Sequence, residues 1–307
     1  MEASSVSRLV PVLGLTLLFC ACGQEGPSDV LTDMGVDDAS GDVVMDGFVA
    51  CPAGCRDESC GFSRYCGMVQ VPEGPFMMGC NPERRDDCEA NQLPFHEVTL
   101  SAYHMDRTEV TVGAFRACVD AGACTPPVQP APNCAWLLPD HENHPMTCVD
   151  WFQANAFCEW LGRRLPTEAE WEKAARGEDG RTYPWGEMPV SCDLAVTFDE
   201  NFGGRGCGTD DTMPVCSRSP AGDSPYGLCD MAGNVWERVS DWFGEAYFVE
   251  SPIVDPQGPS AGTGRVSRGG TITLGDNQMN LRTFFRNYHL PTASDQLLGF
   301  RCAVSDE

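Results

Sequence analysis

The stretch Arg164-Leu165-Pro166-Thr167-Glu168-Ala169-Glu170-Trp171-Glu172 decides how the rest of the chain is read. Thr167 and Glu170 form a capping box: the threonine hydroxyl accepts from the Glu170 amide while the Glu170 carboxylate reaches back to the Thr167 amide. A helix is therefore expected to begin here and to end near Gly177. Upstream, a helix is expected over 151–161, with Phe152, Ala156 and Trp160 at helical spacing and Gly162 after it. Another is expected over 112–121, capped by Thr111, with Val112, Phe115 and Val119 on one face and Gly122 at its end. Met68-Val69-Gln70-Val71, the turn Pro72-Glu73-Gly74 and Phe76-Met77-Met78-Gly79 read as a hairpin. Residues 96–100 alternate, and Tyr103-His104-Met105-Asp106 is extended. Beyond Gly177 the chain is rich in Gly and Pro, and only short strands are expected. These elements give an α+β class with little regular secondary structure.

Composition narrows the function. The chain has 307 residues, with 45 acidic and 20 basic side chains and a net charge of −25. A nucleic-acid binder needs a positive footprint to displace counterions, and a polybasic membrane-surface protein needs clustered cations, so both classes are excluded. Lys173 is the single lysine, so Schiff-base chemistry has one candidate. The 18 cysteines point to an oxidising compartment.

The amino terminus agrees with that compartment. Residues 1–21 read as a signal peptide, with an apolar run over 9–19 too short to span a bilayer as a stable helix. Phe19-Cys20-Ala21-Cys22-Gly23 resembles a bacterial lipoprotein signal with Cys22 as the lipidated residue; an ordinary secretory signal is the other reading. Residues 22–50 are acidic, without Lys or Arg, and poor in large apolar side chains, so they are expected to be a flexible tether. Cys51, Cys55, Cys60 and Cys66 fall within residues 51–67, where they could form two disulfides or bind zinc; export favours the disulfides. Residues 68–307 are the main domain. Setting Cys20 and Cys22 aside leaves sixteen cysteines for pairing.

Several strings in the main domain occur in a telling order. They are Asp106-Arg107-Thr108-Glu109-Val110-Thr111, the capping-box stretch, Tyr183-Pro184-Trp185-Gly186, and Tyr226-Gly227-Leu228. Then come Met231-Ala232-Gly233-Asn234-Val235-Trp236-Glu237, Asp241-Trp242, Arg268-Gly269-Gly270 and Leu298-Gly299-Phe300-Arg301-Cys302. In this order, over about residues 68–304, the chain resembles the formylglycine-generating enzyme (sulfatase-modifying factor) family. The resemblance implies one compact domain related to C-type-lectin folds and often stabilised by calcium. Family enzymes use copper and oxygen to oxidise a sulfatase cysteine to formylglycine, with two cysteines just after Arg-Gly-Gly binding copper(I), for which soft thiolate is suited.

This chain departs from the pattern there. The two cysteine positions fall near Leu274 and Met279, or on Gln278 when counted back from Arg282, and no cysteine lies between Cys229 and Cys302. Copper is therefore not expected. The resemblance does imply a calcium site at Asp230, Gly233, Val235 and Glu237, with carboxylate and carbonyl oxygens at close spacing; a turn with two solvated acids is the other reading. A second calcium site would use Asp193 and the Leu194 carbonyl. The resemblance also implies a disulfide between Cys158 and Cys302, whereas Ala175 and Thr283 stand at the positions of a second family disulfide. Proximity suggests Cys80–Cys88, Cys118–Cys124, Cys134–Cys148, Cys192–Cys207 and Cys216–Cys229. His141-Glu142-Asn143-His144 could offer zinc ligands but reads better as a solvated loop, and His289 lacks an evident Ser or Cys partner. The tryptophans Trp151, Trp160, Trp171, Trp185, Trp236 and Trp242 read as core. Arg282, Arg286 and Arg301 could pair with core carboxylates or hold an anionic ligand.

The expected protein is an exported lipoprotein of the cell envelope, anchored in the periplasm or on the cell surface and touching the membrane only through its lipid. Its domain is expected to act as a binding or scaffold module for a protein, peptide or glycan, with no nucleic-acid partner. The rival is an oxidoreductase of the family using a divergent site.

Overall fold

The structure, a computed structural model, describes residues 65, 67–84, 87–128, 131–273 and 276–306. The signal segment, the tether and nearly all of the four-cysteine module, including Cys22, lie outside the described residues. Among the described residues no helix is long and apolar enough to cross a membrane.

Three small sheets and a few short helices build the domain. Strands β1 (Met68–Val71), β4 (Tyr103–Asp106) and β9 (Ala303–Ser305) form an antiparallel sheet in the order β1-β4-β9. Strands β2 (Gly74–Met78) and β3 (His96–Leu100) pair antiparallel. Strands β5 (Trp236–Trp242), β6 (Arg265–Arg268), β7 (Asn287–His289) and β8 (Leu298–Phe300) form a sheet in the order β7-β6-β5-β8, with β5 and β8 parallel.

The hairpin expected from β1 and β2 does not form. The turn between them redirects the chain, and the two strands enter different sheets. Its carbonyls are captured from elsewhere: the Lys173 ammonium donates to Pro72 O at 2.8 Å and Gly74 O at 2.9 Å. This also spends the single lysine, whose burial lowers its pKa.

The helices follow their caps. Helix α1 (Val112–Asp120) begins with the Thr111 side chain accepting from the Ala114 amide. Helix α2 (Trp151–Trp160) has a capping box the sequence reading did not use, between Asp150 and Gln153. Helix α3 (Glu168–Arg176) has the expected Thr167–Glu170 box, and Gly177 closes it at φ 67°. A single turn, α4 (Tyr247–Glu250), follows β5.

Two apolar clusters form the core. One gathers Phe76, Val98, Tyr103, Trp171, Val239 and Val266 around α3. The other gathers Phe115, Phe157, Phe300 and Cys302 between α1, α2 and β8. Six disulfides staple them: Cys80–Cys88, Cys118–Cys124, Cys134–Cys148, Cys158–Cys302, Cys192–Cys207 and Cys216–Cys229. Five close short loops, and Cys158–Cys302 joins α2 to the end of the chain across 144 residues.

Candidate functional site

Helix α3 organises the interior through charge. Its first, third and fifth residues are glutamates, all buried, and each meets arginine from elsewhere. Glu168 receives Nε and Nη2 of Arg286, both at 2.7 Å. Glu170 receives both terminal nitrogens of Arg164 at 2.6 Å while also closing the helix cap. Glu172 takes Arg176 at 2.7 Å, Arg268 at 2.5 Å and the Gly79 amide at 2.8 Å. Burial works against ionising Glu172, but Arg268 and Arg176 outweigh it and hold its carboxyl below the usual range. A bidentate charge-assisted pair gains geometry as well as energy, so these contacts fix three distant segments on one helix.

Trp171, fully buried on the same helix, points the other way and donates to Glu237 at 2.9 Å. Glu237 sits on β5, and both of its oxygens also accept from Arg301 at 2.6 Å. Arg301 then donates to the carbonyls of Asp106, Arg107 and Cys229. Arg286 and Arg301 thus pair with core carboxylates, and Arg282 pairs with Asp87.

Beside Glu237 the charges no longer match. Asp230 opens a turn through Gly233 and Asn234, and all three residues have positive φ. Its Oδ2 accepts from the Cys216 amide at 2.6 Å. Glu109, 1% exposed, lies against it, and apart from the Asp230 carboxyl no donor among the described residues reaches either Glu109 oxygen. Burial, then the nearby Asp230 charge, pushes the Glu109 carboxyl well up. Burial also raises Asp230 to about 6. Three carboxylates here face one guanidinium.

The expected calcium set lies within this arrangement. Glu237 is held by Arg301 and Trp171. Asp230 and Glu109 have no arginine bonded to them among the described residues. The carboxylate oxygens of Asp230 and Glu109 and the carbonyls of the Gly233–Val235 turn are hard donors of the type calcium takes. Among the described residues no group of three or more His, Cys, Asp or Glu side chains is arranged to hold a metal. At the second expected site Asp193 is exposed, and the Leu194 carbonyl points at Gly222, 2.0 Å from where a side chain there would begin.

The residues do not fit copper(I). Leu274 lies outside the described residues, Met279 is half-buried in a 3-10 turn over Asp276–Leu281, and every described cysteine is in a disulfide. One thioether does not replace two thiolates.

Other expected residues are placed as follows. The His141 and His144 rings lie 4.1 Å apart, tilted by 35°. His141 bonds Pro139 O at 2.7 Å and Asp211 at 3.0 Å, so both nitrogens face acceptors. Burial opposes its protonation, but these partners outweigh burial and raise its pKa; His144, buried beside it, is lowered to about 4. His289, read as lacking a partner, meets Ser267 Oγ at 2.9 Å through strand pairing across 22 residues. Of the tryptophans, Trp171 is fully buried, and Trp151, Trp160, Trp185, Trp236 and Trp242 are half-buried.

Comparison with known proteins matches this geometry to a family. Residues 58–306 match the sulfatase-modifying factor enzyme 1-like domain. The formylglycine-generating enzyme of Streptomyces coelicolor is 36% identical over 282 residues, covering 77% of this chain and 88% of that protein. Its counterpart in Thermomonospora curvata is 35% identical over 287 residues, covering 78% and 93%. Among solved structures, PvdO from Pseudomonas aeruginosa superposes with a TM-score of 0.67 at 25% identity, covering 80% of this chain and 96% of that one. With these matches, the chain belongs to the sulfatase-modifying factor enzyme 1-like family.

Proposed function

We propose that the domain is a calcium-supported binding or scaffold module for a protein, peptide or glycan, and not a copper-dependent oxidase. One observation carries this reading. The segment after Arg268-Gly269-Gly270 has no cysteine, while the paired arginines and glutamates that build the scaffold around it are intact. The fold is maintained and the soft ligand pair that would activate oxygen is missing. Calcium would be held by the Glu109 and Asp230 carboxylates with carbonyls of the Gly233–Val235 turn. Bound there, it would supply positive charge to a buried acidic cluster and so fix the turn that leads into β5. The chain would be exported, and lipidation at Cys22 would hold it in the cell envelope, with the acidic segment 22–50 as a spacer.

The rival reading is an oxidoreductase with a divergent site, favoured by the identity to formylglycine-generating enzymes. The test is to incubate the purified protein with copper(I), oxygen and a Cys-x-Pro-x-Arg peptide and to follow the cysteine by mass spectrometry. The peptide is expected to be recovered unchanged. Conversion of its cysteine to formylglycine, or stoichiometric high-affinity copper(I) binding, would overturn the proposal.

A further inference from the structure

Arg238 differs from the other fully buried arginines among the described residues. Arg176, Arg268, Arg286 and Arg301 each sit within 2.7 Å of a glutamate oxygen. Arg238, 1% exposed, has no carboxylate bonded to it among the described residues. Its Nη2 donates to Val149 O at 3.2 Å and to Ala293 O, while Nε and Nη1 have no partner. Burying a cation without a paired anion costs several kcal/mol per ion. The nearest acids do not answer it: Asp150 accepts from the Gln153 amide to cap α2, and Asp295 accepts from the Leu297 amide. Their fields act on Arg238, yet burial dominates and lowers its pKa to about 10. Arg301, equally buried, is raised, because Glu237 outweighs its burial.

The register shows what surrounds Arg238. It pairs with Ser267, Ser267 pairs with Asn287, and Arg265 pairs with His289. Alternate residues share a sheet face, so these side chains lie together on β5, β6 and β7. Ser267 and His289 bond each other at 2.9 Å. Burial, then the Arg238 charge, lowers the His289 pKa. At the half-buried edge Arg265 is clamped between Trp151 at 4.0 Å and Trp242 at 3.7 Å. The Trp151 indole is itself fixed by donation to Val239 O at 2.8 Å. A guanidinium held between two indoles is preorganised and keeps its charge.

We propose that this face of the β5–β6–β7 sheet is a carboxylate-binding site, with the unpartnered nitrogens of Arg238 as its buried donors and Arg265 as its gate. The Ser267–His289 pair supplies further hydrogen-bonding capacity on the same face. The carboxylate would be that of a small organic acid or that of a peptide. Ser267 adjoins Arg268 on β6, but the Arg268 side chain alternates to the other face and is taken by Glu172, so the proposal does not depend on whether the domain is an oxidase.

The test uses the full-length protein and NMR of its arginine Nε–H groups. Wild type is titrated with acetate, and in parallel with a short peptide carrying a free C-terminus and with its amidated form. Saturable shifts of the Arg238 and Arg265 signals are expected. Arg238→Met is expected to weaken acetate binding by at least ~10-fold, as loss of a charged hydrogen bond would. Arg238→Lys keeps the charge and is expected to retain partial binding, which separates loss of the site from loss of the fold. A stronger response to the free-carboxyl peptide than to acetate would assign a peptide source, and equal response would assign a small acid. Linear, unsaturable shifts in wild type, or saturation unchanged in Arg238→Met, would overturn the proposal and leave an internal water as the partner of Arg238.

Discussion

Two acidic clusters lie on opposite sides of Trp171, and they are balanced differently. On helix α3, Glu168, Glu170 and Glu172 meet Arg286, Arg164, Arg176 and Arg268. At the Asp230 turn, Glu109, Asp230 and Glu237 share Arg301. Both are buried. The first needs nothing more and acts as a set of staples. The second keeps carboxyl groups whose ionisation is opposed by burial and by each other, which is the state a bound cation relieves. The lesson is that burial of acids alone does not separate scaffold from site; the local count of opposite charges does.

Breaking the balanced cluster should have the largest effect. Glu172→Gln leaves Arg176 and Arg268 buried without their shared carboxylate, and the loss is expected to be about 3–5 kcal/mol in denaturant unfolding. A stability within about 0.5 kcal/mol of wild type, the range of a neutral surface change, would show that the network is not a staple.

A sharper comparison comes from Asp241, the acid beside α3 that no arginine meets. It accepts from the Glu168 amide and the Ser240 hydroxyl, yet burial and then the Glu168 charge raise it to about 7. Its folded pKa lies above the unfolded value of 3.8, so the folded state holds the proton more tightly. The resulting stability is fully present below pH 4 and is lost as pH rises through 7. A shift of this size corresponds to at most about 4 kcal/mol. Asp241→Asn keeps an acceptor oxygen and removes the titration. It should match wild type at pH 4 and exceed it at pH 8 by up to about 3 kcal/mol. Parallel pH profiles for the two proteins would contradict the assignment.

The smallest effect is expected at the helix start. Thr167→Ala removes one of two reciprocal cap bonds and should cost about 1 kcal/mol, with the Glu170–Arg164 pair still formed. A larger loss would mean that the cap also positions the charge staples.

Much of the frame was legible because its causes are local. Thr167 and Glu170 are three residues apart, and five of the six disulfides close loops of 6 to 15 residues. What escaped the sequence depends on contacts across the chain. The β1–β2 hairpin was expected from turn chemistry, but the strands pair elsewhere because sheet partners and the Lys173 ammonium compete for that turn. Glu109 could be quoted within a string but not assigned, since its isolation from donors exists only once Asp230, over a hundred residues away, is folded against it. Arg238 reads as an ordinary polar residue in a strand. Only the pairing of β5 with β6 shows that it is buried without an anion. The Glu237–Arg301 pair, too, could not be read from the motif, because Arg301 comes from 64 residues further along the chain.

The most direct test of the contrast between the clusters is thermal unfolding in calcium and in chelator, for wild type and for Glu109→Gln. With calcium at a hundred times its dissociation constant, wild type should gain about 2.7 kcal/mol, and Glu109→Gln should lose most of that response while unfolding in chelator near the wild-type midpoint. Identical wild-type midpoints in calcium and in chelator would contradict the account, because the acidic cluster at Asp230 would then be complete without a cation.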